Sequence, residues 1–409
     1  GYDCKLIMAE ISLIKNKHII LGITGSIAAY KAADLASKLT QACSKVDVIL
    51  TKAAIEFITP LTFQSVTGRR VYVDEDLWGN EGHIQHIGLG KRADLLIIAP
   101  ATANTIAKLA HGIADNLLTV TALAARCPLV IAPAMDGGMF TNPATQRNLD
   151  TLRQRSTTII GPAEGHLASG LSGIGRMVEP LELLGHIRLI VAHSGPLSGR
   201  KVVVTAGGTQ EPIDPVRVIT NLSSGKQGYA LAQAALDRGA EVVLISTPTC
   251  LAPPIGVHLV SITTAKEMLN AVLEHCSDAD LLIMAAAVAD FRPEARLGDK
   301  IKKGASVPAI ALEKTVDILD VISDLKTKQK NPRIVVGFAA ESQDLIKNAQ
   351  AKLNEKNLDL IVANDITSKD AGFAVDTNRV TILDAGGGEE ALSLMTKEEV
   401  AEHILQRVT

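Results

Sequence analysis

Aromatic side chains make up only 3% of the 409 residues, which leaves no stacking platform for single-stranded nucleic acid. Charge of one sign is equally scarce. The formal net charge is −3 and no long basic or acidic run occurs, so neither nucleic acid nor an anionic membrane is expected as a partner. No apolar run reaches the length of a membrane-spanning helix, and no secretory leader is recognisable. Cys4, Cys43, Cys127, Cys250 and Cys276 are scattered without a CxxC pair, which excludes a disulfide framework and a cysteine zinc site. A reducing cytoplasm suits them. Residues 1–7 read as foreign to a domain that starts at Met8.

What is present is an ordinary apolar share, 47%, with 21% charged residues, in a chain long enough for two cores. The organising stretch is Lys201 to Lys226. A β-branched run, Val202 to Thr205, reads as a buried parallel strand. It ends in Ala206-Gly207-Gly208-Thr209, where glycines permit a tight turn and close backbone approach. Asn221 and Ser223-Ser224-Gly225 then lead into a helix opened by Lys226, an arrangement suited to an anion. An ordinary strand–turn–helix connection is the alternative.

Before this stretch, strands are expected at 18–24, 45–51, 93–99 and 127–132, with helices at 27–39 and from Lys52 through Ser65. After it, strands are expected at 241–246, 280–286, 334–338 and 359–363, with a hairpin-like strand at 379–384. Alternating strands and helices predict α/β architecture, two Rossmann-like doubly wound sheets whose ligands sit at the carboxyl ends of the strands. The expected domains span 8–191 and 200–409, joined by the small, polar linker 192–199.

In the first half Gly25-Ser26 follows a strand, and Thr51, Thr102, Asn104 and Thr105 stand at later strand ends. These side chains either bind a phosphate-bearing ligand or cap helices. Without a GxGxxG run, a mononucleotide such as FMN fits better than a dinucleotide. His83 and His86 lack an acidic or thiol partner for a metal. His86 is an acid–base candidate, or a plain surface histidine.

Together these stretches carry a resemblance. GITGSIAAYKA, His86-Ile87-Gly88-Leu89, ADLLIIAPATANTIAKLAHGIADNLLT and PAM with MF resemble the FMN-dependent cysteine decarboxylases. TAGGTQEPIDPVRVITNLSSGK, AAAVADFRP, KIKK and GFAAES resemble phosphopantothenoylcysteine synthetase. In this order, from about Lys17 onward, they resemble the bifunctional enzymes of coenzyme A biosynthesis. These fuse a phosphopantothenoylcysteine decarboxylase to a phosphopantothenate–cysteine ligase.

The resemblance implies an N-terminal flavin-binding domain with FMN on Gly25, Ser26, Thr51, Thr102, Asn104 and Thr105. His86 matches the family's active-site histidine, and Met135, Asp136 and Arg176 fall at substrate-binding positions. The cysteine thiol is oxidised to a thioaldehyde, which eases loss of CO₂. Two positions depart from the pattern. Asp136 stands where the family's Asn holds the substrate carboxylate, and an ionised Asp there repels that group unless protonated. Ser169 stands where a flap cysteine donates a proton, and a hydroxyl is a far weaker acid than a thiol of pKa about 8.5. Decarboxylation is therefore expected to be impaired. A ligase on a degenerate flavin scaffold, or a flavin-binding regulatory protein, are the alternatives.

For the second half the resemblance implies a ligase that activates 4′-phosphopantothenate with CTP as an acyl-cytidylate, which cysteine attacks with loss of CMP. Such chemistry needs phosphate donors, a base pocket and Mg²⁺ to offset triphosphate charge. Asn221 matches the residue that holds the acyl-cytidylate. Gly207, Gly208, Ser223, Ser224 and Gly225 are expected around the phosphates, and Ala286, Asp290 and Phe338 beside the nucleotide. A carboxylate at Asp290 accepts readily from the cytosine amino group. Lys300 matches the triphosphate lysine and is expected to be catalytic, with Lys302 and Lys303 beside it. Read alone these residues are a strand-end Asp, a core Phe and a solvated charge run. The resemblance also implies a homo-oligomer, a dodecamer built from trimers and dimers.

Overall fold

The computed structural model describes residues 13–77, 88–166, 172–301, 309–341, 344–365 and 377–409. The chain divides into two units, Gly1–Val191 and Ala192–Thr409.

The first unit is built on β1 (His18–Ile23), β2 (Lys45–Leu50), β3 (Val71–Tyr72), β4 (Leu95–Ala101), β5 (Leu129–Pro133) and β6 (Thr158–Ile159). They form one six-stranded sheet, order β3-β2-β1-β4-β5-β6, parallel throughout. The strands are apolar at successive positions because both faces are covered. Ile19, Leu21 and Ile23 point to one face and meet Ala32, Leu35 and Leu39 of the helix Ala29–Gln41. Ile20 points to the other, among Ile106, Leu117 and Leu118. The expected helix from Lys52 through Ser65 is two helices, Lys52–Ile55 and Pro60–Thr67. Pro60 lacks an N–H and holds Thr59 extended, so it starts a helix rather than continuing one. A hairpin, β7 (Ala163–His166) with β8 (Ser172–Arg176), follows the sheet.

The second unit has β9 (Lys201–Ala206), a hairpin of β10 (Gln210–Asp214) and β11 (Arg217–Thr220), then β12 (Glu241–Ser246), β13 (His258–Ser261) and β14 (Leu281–Met284). A small antiparallel pair, β15 (Phe291–Pro293) and β16 (Leu312–Lys314), precedes β17 (Ile334–Glu341) and β18 (Leu360–Asp365). The chain ends with β19 (Thr377–Asn378), β20 (Val380–Asp384), β21 (Glu389–Ala391), β22 (Met395–Thr396) and the helix Lys397–Arg407.

The main sheet has eight strands, order β13-β12-β9-β14-β17-β18-β20-β21. It is parallel as far as β18, and β20 and β21 return antiparallel, as the hairpin-like pattern at 379–384 predicts. The β10–β11 hairpin was not expected; the sequence there reads as a polar loop. Residues 193–199 are not a loose tether. Leu197 is buried and its N–H donates to the Arg238 carbonyl at 2.8 Å.

Candidate active sites

Each sheet reverses its strand order once, between β1 and β4 in the first unit and between β9 and β14 in the second. At such a point neighbouring loops diverge and leave a crevice at the carboxyl ends of the strands. Both units have a cavity there.

The first cavity, about 1140 Å³, is lined by Gly25, Ser26, Thr51, Thr102, Asn104, Thr105, Met135, Asp136 and Arg176. Sequence reasoning singled out all of these. His86 and Ser169 lie outside the described residues. Local hydrogen bonds explain why hydroxyls occupy the strand ends. Ser26 Oγ accepts from the Ala28 N–H at 3.2 Å, and Thr51 Oγ1 from Ala54 at 3.3 Å. Thr102 Oγ1 accepts from Thr105 N–H at 3.4 Å and caps the helix Ala103–His111. The capping alternative and the cavity-lining one are thus both realised. Thr51 and Thr102 follow strands, start helices and face the cavity, while Ser26 braces the turn before its helix.

The third wall comes from β5 and β8. Asp136 Oδ1 accepts from the Gly138 N–H at 2.9 Å and caps the short helix Gly137–Thr141. Met135 N–H donates to Gly175 O at 3.0 Å. Gly175 has φ of +141°, and a Cβ there would stand 2.2 Å from Met135 O, so only glycine brings β8 this close.

Three polar residues stand out among the lining residues that sequence reasoning missed. Asp74 accepts from two helix N-termini, Lys52 N–H and Leu117 N–H, both at 3.1 Å. Asn116 caps the helix Leu117–Ala124 through a reciprocal box with Thr119. Lys31 is buried, and its Nζ donates to Met177 O at 2.7 Å and Glu179 Oε1 at 2.8 Å. A lysine at helical spacing among alanines gives no sign of burial from sequence.

The second cavity, about 810 Å³, is lined by Asn221, Ser223, Ser224, Gly225, Ala286, Asp290 and Phe338. Asn221 Nδ2 donates to Val288 O at 3.0 Å, which fixes the side chain against the loop after β14. That loop is held from below by buried threonines. Thr205 Oγ1 accepts from Ala286 N–H at 3.1 Å and Thr209 Oγ1 from Ala289 N–H at 2.9 Å. Gly225 caps the helix Lys226–Leu236 with φ of +77°, leaving that helix's first N–H groups at the cavity.

Gly207 and Gly208 are not lining residues; they pack behind the wall. A Cβ on Gly208 would meet Asn221 O at 2.5 Å. One on Gly207, at φ +85°, would meet Thr247 Oγ1 at 2.0 Å. Lys300 is exposed and does not line this cavity. Lys302 and Lys303 lie outside the described residues. Four lysines line it: Lys226, which opens the helix of the organising stretch, Lys314, and two that sequence reasoning missed, Lys352 and Lys397. Lys352 Nζ donates to Phe338 O at 3.2 Å. Thr315 and Asp317 complete that side, Thr315 Oγ1 donating to Ala289 O at 2.6 Å.

Two switch-point cavities, one rich in hydroxyls and helix N-termini and the other in lysines, place the chain among α/β proteins with a crevice at the strand ends of each sheet. The Flavoprotein family model matches residues 8–192, and the DNA/pantothenate metabolism flavoprotein C-terminal domain matches 197–409. The chain is 46% identical over 402 residues to the coenzyme A biosynthesis bifunctional protein CoaBC of Bacillus subtilis (strain 168), covering 97% of each. It is 43% identical to the protein of that name from Vibrio vulnificus (strain CMCP6), covering 97% of this chain and 98% of the relative. The figure for Mycobacterium tuberculosis (strain ATCC 25618 / H37Rv) is 42%, covering 96% of each. The chain belongs to this family of bifunctional coenzyme A biosynthesis proteins. It is an enzyme with a ligase and a decarboxylase half.

Proposed function

We propose that the C-terminal half joins 4′-phosphopantothenate to cysteine with CTP, and that the N-terminal half converts the product to 4′-phosphopantetheine with FMN. The observation that carries this reading is that most of the expected residues that are described line one cavity per half.

In the ligase half the substrate carboxylate attacks the α-phosphorus of CTP and pyrophosphate leaves. The cysteine nitrogen then attacks the acyl carbon and CMP leaves. The helix N-terminus after Gly225, the Ser223 and Ser224 hydroxyls and the lining lysines suit the phosphates. Asn221 is oriented by Val288 to hold the acyl-cytidylate, and Asp290 and Phe338 take the nucleoside side. Magnesium fits as an ion carried on the triphosphate. Among the described residues no three His, Cys, Asp or Glu side chains form a metal cage of their own.

In the flavin half, Gly25, Ser26, Thr51, Thr102, Asn104 and Thr105 present hydroxyl, amide and backbone donors of the kind a phosphate and a flavin ring require. FMN, when bound, supplies the two-electron oxidation of the substrate thiol. His86 is the acid–base group, and Met135, Asp136 and Arg176 hold the substrate. Asp136 and Ser169 make the second step slow. Capping Gly138 requires only one side-chain oxygen, which asparagine also has, so the cap itself does not demand a carboxylate. Ile27, Tyr30 and Phe57 are more than half exposed at the rim of this cavity, which supports its completion by another copy of the chain. The free cysteines at 43, 127, 250 and 276 support a cytoplasmic setting.

One incubation with 4′-phosphopantothenate, cysteine, CTP and Mg²⁺, followed by mass spectrometry, tests the reading. Phosphopantothenoylcysteine is expected to accumulate ahead of a slower rise of 4′-phosphopantetheine. No CTP-dependent product refutes the ligase assignment, and immediate full conversion refutes the slow second step.

A further inference from the structure

The β10–β11 hairpin, absent from the sequence-based expectation, ends in a carboxylate with unusual work to do. The register slips between Pro212 and Asp214, and the Asp214 side chain is wholly buried. Its Oδ1 closes the turn, accepting from Val216 N–H and Arg217 N–H, both at 2.8 Å. Its Oδ2 has a different task. It accepts from Ile301 N–H at 3.1 Å and from Arg217 Nη1 at 2.5 Å. The same Nη1 reaches Ile301 O at 3.3 Å, and Leu297 N–H donates to Ile213 O at 3.0 Å. One end of the 297–301 segment is thus gripped by a carboxylate–guanidinium pair and the other by the backbone of β10.

We infer that Asp214 is a positioning residue of the ligase reaction, holding the 297–301 segment, and with it Lys300, on the β10–β11 hairpin. This rests on the proposed ligase function and on Lys300 being the triphosphate contact that the resemblance implies. Lys300 is exposed and precedes the residue that Asp214 and Arg217 clasp, so its backbone is anchored at Ile301. Closing the turn needs Oδ1 alone; Oδ2 adds only the grip on Ile301 and Arg217. Burial opposes ionisation of Asp214, but the Val216 and Ile301 N–H groups and Arg217 outweigh it and bring the carboxyl down to about 2. The acceptor therefore stays charged through the enzyme's working range.

Asp214→Asn separates the two tasks, because asparagine keeps one acceptor for the turn and turns an NH₂ toward the Ile301 and Arg217 donors. In the full-length enzyme this variant is expected to raise the KM for CTP about tenfold, the loss of one hydrogen bond to a charged group. The KM for cysteine is expected to stay unchanged. Combining it with Lys300→Gln is expected to add less than about twofold to the single Asp214→Asn change, since both remove one device. Hydrogen exchange of the Ile301 amide, read on a peptide covering 297–301, is expected to accelerate in Asp214→Asn. Should that variant fail to fold, Arg217→Lys keeps both Oδ1 bonds and is expected to accelerate the same amide. Unchanged exchange overturns the clamp, as does additivity with Lys300→Gln. Accelerated exchange with no effect of Lys300→Gln on CTP dependence leaves the clamp standing and refutes the role of Lys300 instead, which limits Asp214 to holding the segment.

Discussion

Lys31 and Glu179 meet at 2.8 Å although 148 positions separate them in the chain. Arg176 pairs with the same carboxylate at 2.8 Å, so one acidic group ties the helix after the Gly25-Ser26 turn to the end of β8. The Lys31 hydrogen bond outweighs desolvation and, with Arg176, holds the Glu179 carboxyl below its ordinary value. Lys31→Met is expected to lower the stability of the flavin half by about 1–3 kcal/mol, the cost of leaving the buried Met177 carbonyl without its donor. It is also expected to loosen flavin retention, because β8 forms one wall of the cavity. Urea titration followed by flavin fluorescence reads both, and an unmoved midpoint would count against the tie.

At the opposite end of β1 and β2, Asp47 accepts from His18 Nε2 at 2.5 Å and Arg69 Nε at 2.7 Å. Burial alone would raise the Asp47 carboxyl, but the hydrogen bonds from His18 and Arg69 more than offset it and lower it. A depressed folded value means stability that is present above the unfolded carboxyl pKa of about 3.9 and lost as pH falls. Asp47→Asn is therefore expected to cost about 1–3 kcal/mol at pH 7. The gap between variant and parent should shrink below pH 4. Denaturation at pH 7 and pH 3.5 checks this, and a gap equal at both would refute it.

Gly207 combines a left-handed backbone with a neighbour where its Cβ would go. Gly207→Ala is expected to destabilise the ligase half by about 1–3 kcal/mol and weaken CTP binding. Adding Thr247→Ala removes the Oγ1 in the way but not the strain at φ +85°, so partial rescue is expected. Full rescue would show that crowding alone matters, and a harmless Gly207→Ala would remove the glycine from the argument.

Asp136→Asn with Ser169→Cys is expected to speed conversion of phosphopantothenoylcysteine by at least about a hundredfold, the lower range for restoring a proton donor. Asp136→Asn should keep the cap on Gly138, which uses one side-chain oxygen. Single-turnover mass spectrometry on the isolated intermediate measures the rate. No gain in the double variant would mean that neither residue limits the step.

Much of this was legible because each clue was local. Val202 to Val204, or Ile19 to Leu21, is apolar at every position because both faces of a parallel sheet are covered, and that reads from sequence alone. Thr51 and Thr102 were found because a residue that follows a strand and caps the next helix also faces the cavity, and Ser26 because it stands in the turn between β1 and its helix. Lys31, Asp74 and Asp214 were not found, because their partners lie far along the chain: Glu179, Leu117 and Ile301. The β10–β11 hairpin escaped for the same reason. Its strands are short, β11 is largely exposed, and it is braced by 297–301. Gly207 and Gly208 were identified as turn residues correctly, yet whether such a turn faces a ligand or supports the loop that does is decided by Asn221 and Thr247 above it.

Among the described residues, each sheet draws every one of its strands from its own stretch of chain, β1–β6 on one side of residue 192 and β9–β21 on the other. A gene that encoded the two stretches as separate messages would therefore sacrifice no rung of either ladder. Joining them in a single reading frame leaves each ladder complete on its own side of residue 192.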